Sequence, residues 1–231
     1  MTEGLPSLPE NNLLDDVRRA LGRTATLHAT PLERFVEAPA ETVGSDLAVR
    51  LTREAAAVGV QVHSLRGVDE TIERVGEICA AGGGEVALSG AALLAAIDFQ
   101  SALVARGLST FNCREQESLE HEGLIARLAR CGIGVTAADC AIAETGTIVL
   151  SSDEPNALLV SLLPPVHIAV LRSSQIVASL DEAITKLAET TETKAWRSAT
   201  FITGPSRTGD VELTLSIGVH GPKELHVVIL E

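Results

Sequence analysis

The sequence predicts an α/β fold with a mostly parallel sheet and helices on both faces. Helical and strand periods alternate along the chain, the strands are short aliphatic runs, and glycines mark several of the changes of period. Such a pattern suits strands covered on both faces.

The first forty-four residues stand apart. Pro6, Pro9, Pro31 and Pro39 fall there among acidic and polar residues. Residues 1–44 therefore read as a loosely ordered N-terminal arm with a short helix through NLLDDVRRAL. Residues 45–231 read as a single α/β domain. In it Leu47, Leu51, Ala55 and Val58 recur at helical spacing, Gly59 stops the helix, and VQVHSL alternates like a strand. Val68, Ile72, Val75 and Cys79 then mark a second helical face, which a triple glycine ends before the short strand EVALS. The next helices are AALLAAIDFQSALVARG and REQESLEHEGLIARLARCG. The latter carries Glu115 and Glu117 near its start and Arg127 and Arg130 near its end, matching the helix dipole. IGVTAADCAIAETGTIVLSS reads as apolar strand pieces around glycines. The strand HIAVL leads to Ser173 as a helix cap, with Ile176, Leu180, Ile184 and Leu187 on one helical face. Strand ATFIT, the loop GPSRTGD and strand ELHVVIL close the chain.

Composition narrows the partners. A formal charge of −13 repels phosphate backbones, and 2% aromatic content with no Tyr removes the stacking platforms of single-strand binders. Nucleic acid and an anionic membrane surface are not expected. The longest apolar stretch, NALLVSLLPPVHIAVL, is broken by prolines short of a membrane span. The start lacks the basic and apolar segments of a secretory signal, so a cytoplasmic address is expected. Cys79, Cys113, Cys131 and Cys140 lie far apart without a C-x-x-C, so the usual ligand spacing of zinc or an iron–sulfur cluster is missing. They read as reduced, semi-buried thiols.

Four stretches can carry chemistry. In AETGTIVLSS, Glu144 stands beside Thr145-Gly146-Thr147, where a strand breaks at a residue that allows close backbone approach. Its carboxylate suits a nucleophile or general base, and the same four residues also suit a plain hairpin turn. In SLLPPVHIAVL, two prolines leave His167 at a strand mouth, as a proton carrier, a carboxylate-binding donor or a structural histidine. In FITGPSRTGD, Gly204, Ser206, Arg207 and Thr208 sit at a strand end. If that end is the carboxyl edge of the sheet, the loop lies in the crevice where open α/β sheets bind ligands. Arg207 would then fork onto a small anion, unless Asp210 pairs with it internally. In GVHGPKELHVVIL a second Gly-Pro break sets His220 between glycines, with Lys223 as a solvated charge. The expectation is that Arg207, His220 and the Glu144 turn gather around one hollow. No Walker loop, Rossmann glycine fingerprint, H-E-x-x-H or nucleophile elbow is present, so the corresponding chemistries lose support.

The ordered set TAADCAIAETGTIVLSS, SLLPPVHIAVL and FITGPSRTGDVELTLSIGVHGPKELHVVIL resembles the lactate utilization protein C family, small members of the LUD-domain proteins. The likeness runs over roughly the C-terminal half and weakens toward the N-terminus. It implies a fold similar to the NagB/RpiA/CoA-transferase group. It also implies a role beside an iron–sulfur partner and a cysteine-rich partner in oxidising L-lactate to pyruvate, the clusters residing on those partners and no cofactor on this chain. The role left to this chain is that of a non-redox component that binds a 2-hydroxy or 2-oxo acid through Arg207, Ser206, Thr208 and His220. Two alternatives stand beside it: a ligand-free scaffold, and, by fold analogy, acyl transfer in which Glu144 attacks a CoA thioester.

Overall fold

The computed structural model describes Ala20 and residues 46–115, 120–152, 156–191, 198–209, 215–218 and 220–231. The chain divides into two compact units, Met1–Ala40 and Glu41–Glu231, and every element below belongs to the second. Apart from Ala20, the helix expected through NLLDDVRRAL lies outside the described residues, as does Glu117.

The described unit begins α1 (Asp46–Ala57), β1 (Gln61–Leu65), α2 (Val68–Gly82), β2 (Val86–Leu88), α3 (Ala92–Ile97), α4 (Phe99–Ala105) and β3 (Thr110–Asn112). It continues α5 (His121–Leu128), β4 (Ile133–Ala137), β5 (Cys140–Ile142), β6 (Thr147–Ser151), α6 (Ala157–Leu162) and β7 (Val166–Arg172). It ends β8 (Ile176–Val177), α7 (Leu180–Thr191), β9 (Ala199–Ile202), β10 (Arg207–Gly209), β11 (Leu215–Ile217) and β12 (Glu224–Leu230).

The main sheet has six strands in the order β1-β12-β7-β4-β2-β3, and every neighbouring pair is parallel. Its aliphatic runs work as expected, because both faces are buried. Ile168 and Val170 of β7 join Val228 and Leu230 of β12 under α2, α3 and α4, in a core with Val75, Leu94 and Leu103. Ala169 and Leu171 alternate to the other face, where Val227 and Ile229 meet Leu51 and Ala55 of α1. Each such Leu or Ile taken out of water contributes about 1.5–3 kcal/mol. Further along that second face α6 lies on β4. Gly134 permits the approach, since a Cβ there would collide with the Val160 carbonyl.

The structure departs from the sequence reading in four places; one is α5, which begins at His121, so that Glu115 lies in a separate 3-10 turn and not near its start, and the other three follow. First, the late strands do not all join one sheet. β8-β5-β6-β9 form a second, smaller sheet whose hairpin, β5 with β6, turns at Glu144–Gly146. Its inner side, Ala141, Ile148 and Leu150, packs in the same core as Leu51 and Leu171. Gly146 is required there: it has φ +67°, and a Cβ would strike the backbone of Glu54 and Ala55 in α1. Second, AALLAAIDFQSALVARG is two helices. Asp98 adopts the left-handed conformation, φ 55°, and donates its N–H to the Ala95 carbonyl, so the chain bends between α3 and α4. Third, the helix expected from Ser173 starts at Leu180. Ile176 and Val177 instead pair in parallel with Ala141 and Ile142 as β8, which satisfies their backbone groups outside any helix. Ala183 and Leu187 make the buried stripe of α7, while Leu180 and Ile184 are exposed.

Candidate functional site

The two Gly-Pro breaks meet. Strand β9 pairs antiparallel with β6 and carries the chain to Thr203 and Gly204. The Ser206 N–H then donates to the Pro222 carbonyl (2.8 Å), and the Gly218 N–H donates to the Ser206 carbonyl (3.0 Å). Ser206 thus lies against Gly221, where a Cβ would sit 3.1 Å from its own. Between the joined loops, α6 and the first residues of β7 and β12 lies a hollow of about 260 Å³. Leu158, Leu162, Phe201 and Leu225 give it apolar walls; Thr203, Ser206, His167 and His220 give it polar groups.

This hollow lies at the amino edge of the main sheet. His167 and Leu225, which face each other across β7 and β12, are each the second residue of their strand. The carboxyl-edge position expected for GPSRTGD is therefore corrected. The reason is that FIT runs in the small sheet, antiparallel to β6, and not among the parallel strands.

His167, Gly204, Ser206 and His220 share the hollow. His167 is 1% exposed, its Nε2 lies 2.9 Å from Thr136 Oγ1, and burial pushes its pKa down to about 3. It stays neutral at pH 7, so it is not the proton carrier near neutrality that the sequence allowed. A neutral imidazole can still exchange a hydrogen bond with a ligand. Ser206 is half-buried and His220 is exposed on the rim.

The remaining candidates are turned elsewhere. Arg207 Nη2 donates to the Val58 carbonyl at 2.7 Å, and its guanidinium fills the space beside Gly59. It ties the β9–β10 loop to the end of α1 and does not line the hollow. Glu144 Oε1 accepts the Leu180 N–H at 2.8 Å, which caps the start of α7. Its carboxylate thus serves a helix end and does not line the hollow around which the Glu144 turn was expected to gather. Thr145 and Thr147 share a hydrogen bond at 2.7 Å, and Thr147 shares another at 2.6 Å with Thr203, so the turn touches the hollow only through Thr203. Gly146 packs on α1. The backbone of Thr208 pairs with Ser216 in the β10–β11 hairpin, and its side chain lies outside the described residues, as does Asp210.

Sequence reasoning passed over Thr203 and Phe201. Thr203 directly precedes the Gly-Pro break and Phe201 lies two residues before it, and their place near it was the available signal. Among the described residues, no group of three or more His, Cys, Asp or Glu side chains is gathered to hold a metal ion. No helix among them is long and apolar enough to cross a membrane. The four thiols are buried, and desolvation raises their pKa values to about 11 or 12.

The profile of the LUD-domain family matches residues 49–230. Lactate utilization protein C of Halalkalibacterium halodurans is 34% identical over 131 residues, 54% of this chain and 57% of that protein. Lactate utilization protein C of Deinococcus radiodurans is 37% identical over 119 residues, 51% of this chain and 53% of that protein. The match thus spans about half the length of these curated relatives. The crystal structure of a DUF162 family protein from Deinococcus radiodurans is similar to the fold with a TM-score of 0.61. At 22% identity, the superposition covers 83% of this chain and 100% of that one.

Proposed function

The chain belongs to the LUD-domain family, and from that premise we propose that it serves lactate utilisation as a non-redox component that binds a short 2-hydroxy or 2-oxo acid. The observation that carries this reading is its 34–37% identity to proteins named lactate utilization protein C. The chemistry of the hollow supports the ligand class. A lactate-sized molecule needs a small apolar wall for its methyl group, a neutral hydrogen-bonding group for its hydroxyl or keto oxygen, and donors for its carboxylate. Leu162 and Leu225 supply the first, His167 the second, and Ser206 with His220 the third. Electron transfer falls in this reading to iron–sulfur and cysteine-rich partner subunits, in a cytoplasmic assembly. The fold likeness is in keeping with the NagB/RpiA/CoA-transferase group.

A thermal melt tests it. At about 100 times its Kd a ligand contributes about 2.7 kcal/mol, a rise of roughly 5–10 °C for a chain of this size. L-lactate or pyruvate is expected to raise the melting temperature, and His220→Ala or Ser206→Ala to remove the rise. Arg207→Ala is expected to lower the melting temperature of the free protein while keeping the response, because its side chain holds Val58 and not the hollow. No response to either acid in the wild type would sink the proposal. Exposed Leu158 (46%), Leu162 (44%) and Phe201 (42%) favour a second reading, in which this rim receives a partner subunit. Co-purification with such a partner without any ligand response would point that way.

A further inference from the structure

The opposite edge of the sheet carries a recess that lactate binding at the Gly-Pro loops does not use. From β2 the chain steps outward to β3, then returns to β4 on the other side of β2. The winding therefore reverses at β2, and at such a reversal the loops leaving the carboxyl ends part and open a crevice. The loop after β2 begins at Ser89 and Gly90; the one after β3 holds Cys113–Glu115.

Two adjoining cavities share a ridge formed by Gln100, Asn112 and Glu115: one of about 260 Å³ at this carboxyl edge, and one of about 410 Å³ that runs from the ridge along the edge strand β3 toward its amino end. Asn112 Nδ2 donates to Gln100 Oε1 (2.6 Å) and to Glu115 Oε1 (3.2 Å), and Gln100 Nε2 donates to Glu115 Oε2 (3.3 Å). Asn112 Oδ1 in turn accepts the Arg114 N–H at 3.0 Å. These bonds fix the ridge before any ligand arrives, so little side-chain freedom is lost on binding. They also answer the charge of Glu115 with amide N–H groups on both oxygens.

The larger cavity is walled by Arg127 and Arg130. Arg127 is held in place: Nη2 donates to Glu85 Oε1 at 2.7 Å, and the guanidinium lies 5.5 Å from the centre of the Phe111 ring. Arg130 has no ion-pair partner among the described residues and is exposed. In a chain of net charge −13, a guanidinium without an ion-pair partner among the described residues, beside a fixed polar shelf, suits an anionic ligand.

We infer that the larger cavity, which runs along β3 from this ridge, binds a small hydroxylated organic anion. Its anionic group lies on Arg130 with Arg127 behind it, and its hydroxyl groups lie on the Gln100–Asn112–Glu115 ridge. The anionic group is a carboxylate or a phosphate ester, which a guanidinium fork grips in the same way.

Calorimetric titration with D-glycerate and with glycerol 3-phosphate, at low salt, tests the site and separates the two anions. At least one probe is expected to bind at millimolar concentration or below. Arg130→Ala is expected to weaken it about tenfold or more and Arg130→Lys to restore part of the loss. Arg130 is exposed, so an unchanged melting temperature checks that the variant still folds. Ser206→Ala, in the other hollow, is expected to leave this binding unchanged. If neither probe binds, or if Arg130→Ala binds as the wild type does, the site is not there.

Discussion

On the neighbouring strands β1 and β12, Arg74 fixes the protons of two histidines. A guanidinium only donates, so its Nε–H, 3.3 Å from His63 Nδ1, leaves the His63 hydrogen on Nε2. That hydrogen points to His226 Nδ1 at 3.2 Å, which places the His226 hydrogen on its own Nε2, 3.7 Å from Glu224 Oε2. The rings are stacked with centroids 5.5 Å apart. Neither ring can take a proton without breaking this sequence. Desolvation, with Arg74 adding to it, lowers the His63 pKa to about 4; desolvation also lowers that of His226, and burial that of His167 to about 3. The consequence is a loss of stability in acid. Above pH 6.5 folded and unfolded chains hold these rings neutral alike, and their contribution is complete. As the pH falls below that, the unfolded chain takes up protons that the native chain refuses until pH 4 or 3, and stability drains away across that window. For His167 the slope is about 1.4 kcal/mol per pH unit. Urea unfolding from pH 7 to pH 4 is expected to show the fall, and His167→Gln is expected to flatten it even though that variant starts less stable. A flat profile in the wild type would contradict the burial of these rings.

Among the elements, α7 shows how local signals and distant ones divide the work. Its buried stripe needed only helical spacing, but its start at Leu180 depends on the Glu144 carboxylate, thirty-six residues earlier in the chain. Glu144→Ala is expected to cost about 1 kcal/mol of stability, as loss of an N-terminal helix acceptor does, and to leave the lactate response intact. Loss of that response with unchanged stability would return Glu144 to the site. The same division explains what was legible. The run HIAVL announced a strand buried on both faces, and ETGT announced its hairpin, because both signals lie within the element. The split at Asp98 was not legible, since AALLAAIDFQSALVARG has no glycine or proline at that point and the bend is fixed by what Phe99 and Leu103 pack against. Nor could the sequence say that Ile176 and Val177 would pair with Ala141 and Ile142, because nothing local sets a register thirty-five residues away.

For the whole molecule, the main sheet carries two separate recesses: one at the amino ends of β7 and β12, closed by the Gly-Pro loops, and one along the edge strand β3, rimmed by arginines. The loops themselves were legible, since Gly-Pro between apolar runs marks a break in a strand. Which of their side chains turn inward was not. Arg207 had the better chemistry for a carboxylate, yet the carbonyl of Val58 at the end of α1 takes it, and that contact exists only once the loop after β9 lies against the end of α1. The second recess was not legible, because its polar ridge joins Gln100, Asn112 and Glu115 from separate elements. The most direct measurement is a map of amide chemical shifts in the isolated protein titrated with L-lactate. Lactate binding in the Gly-Pro hollow predicts changes concentrated at His167, Thr203, Gly204, Ser206, His220 and Gly221. Changes confined to Ser89, Gly90 and Asn112–Glu115, or no changes at saturating lactate, would contradict it.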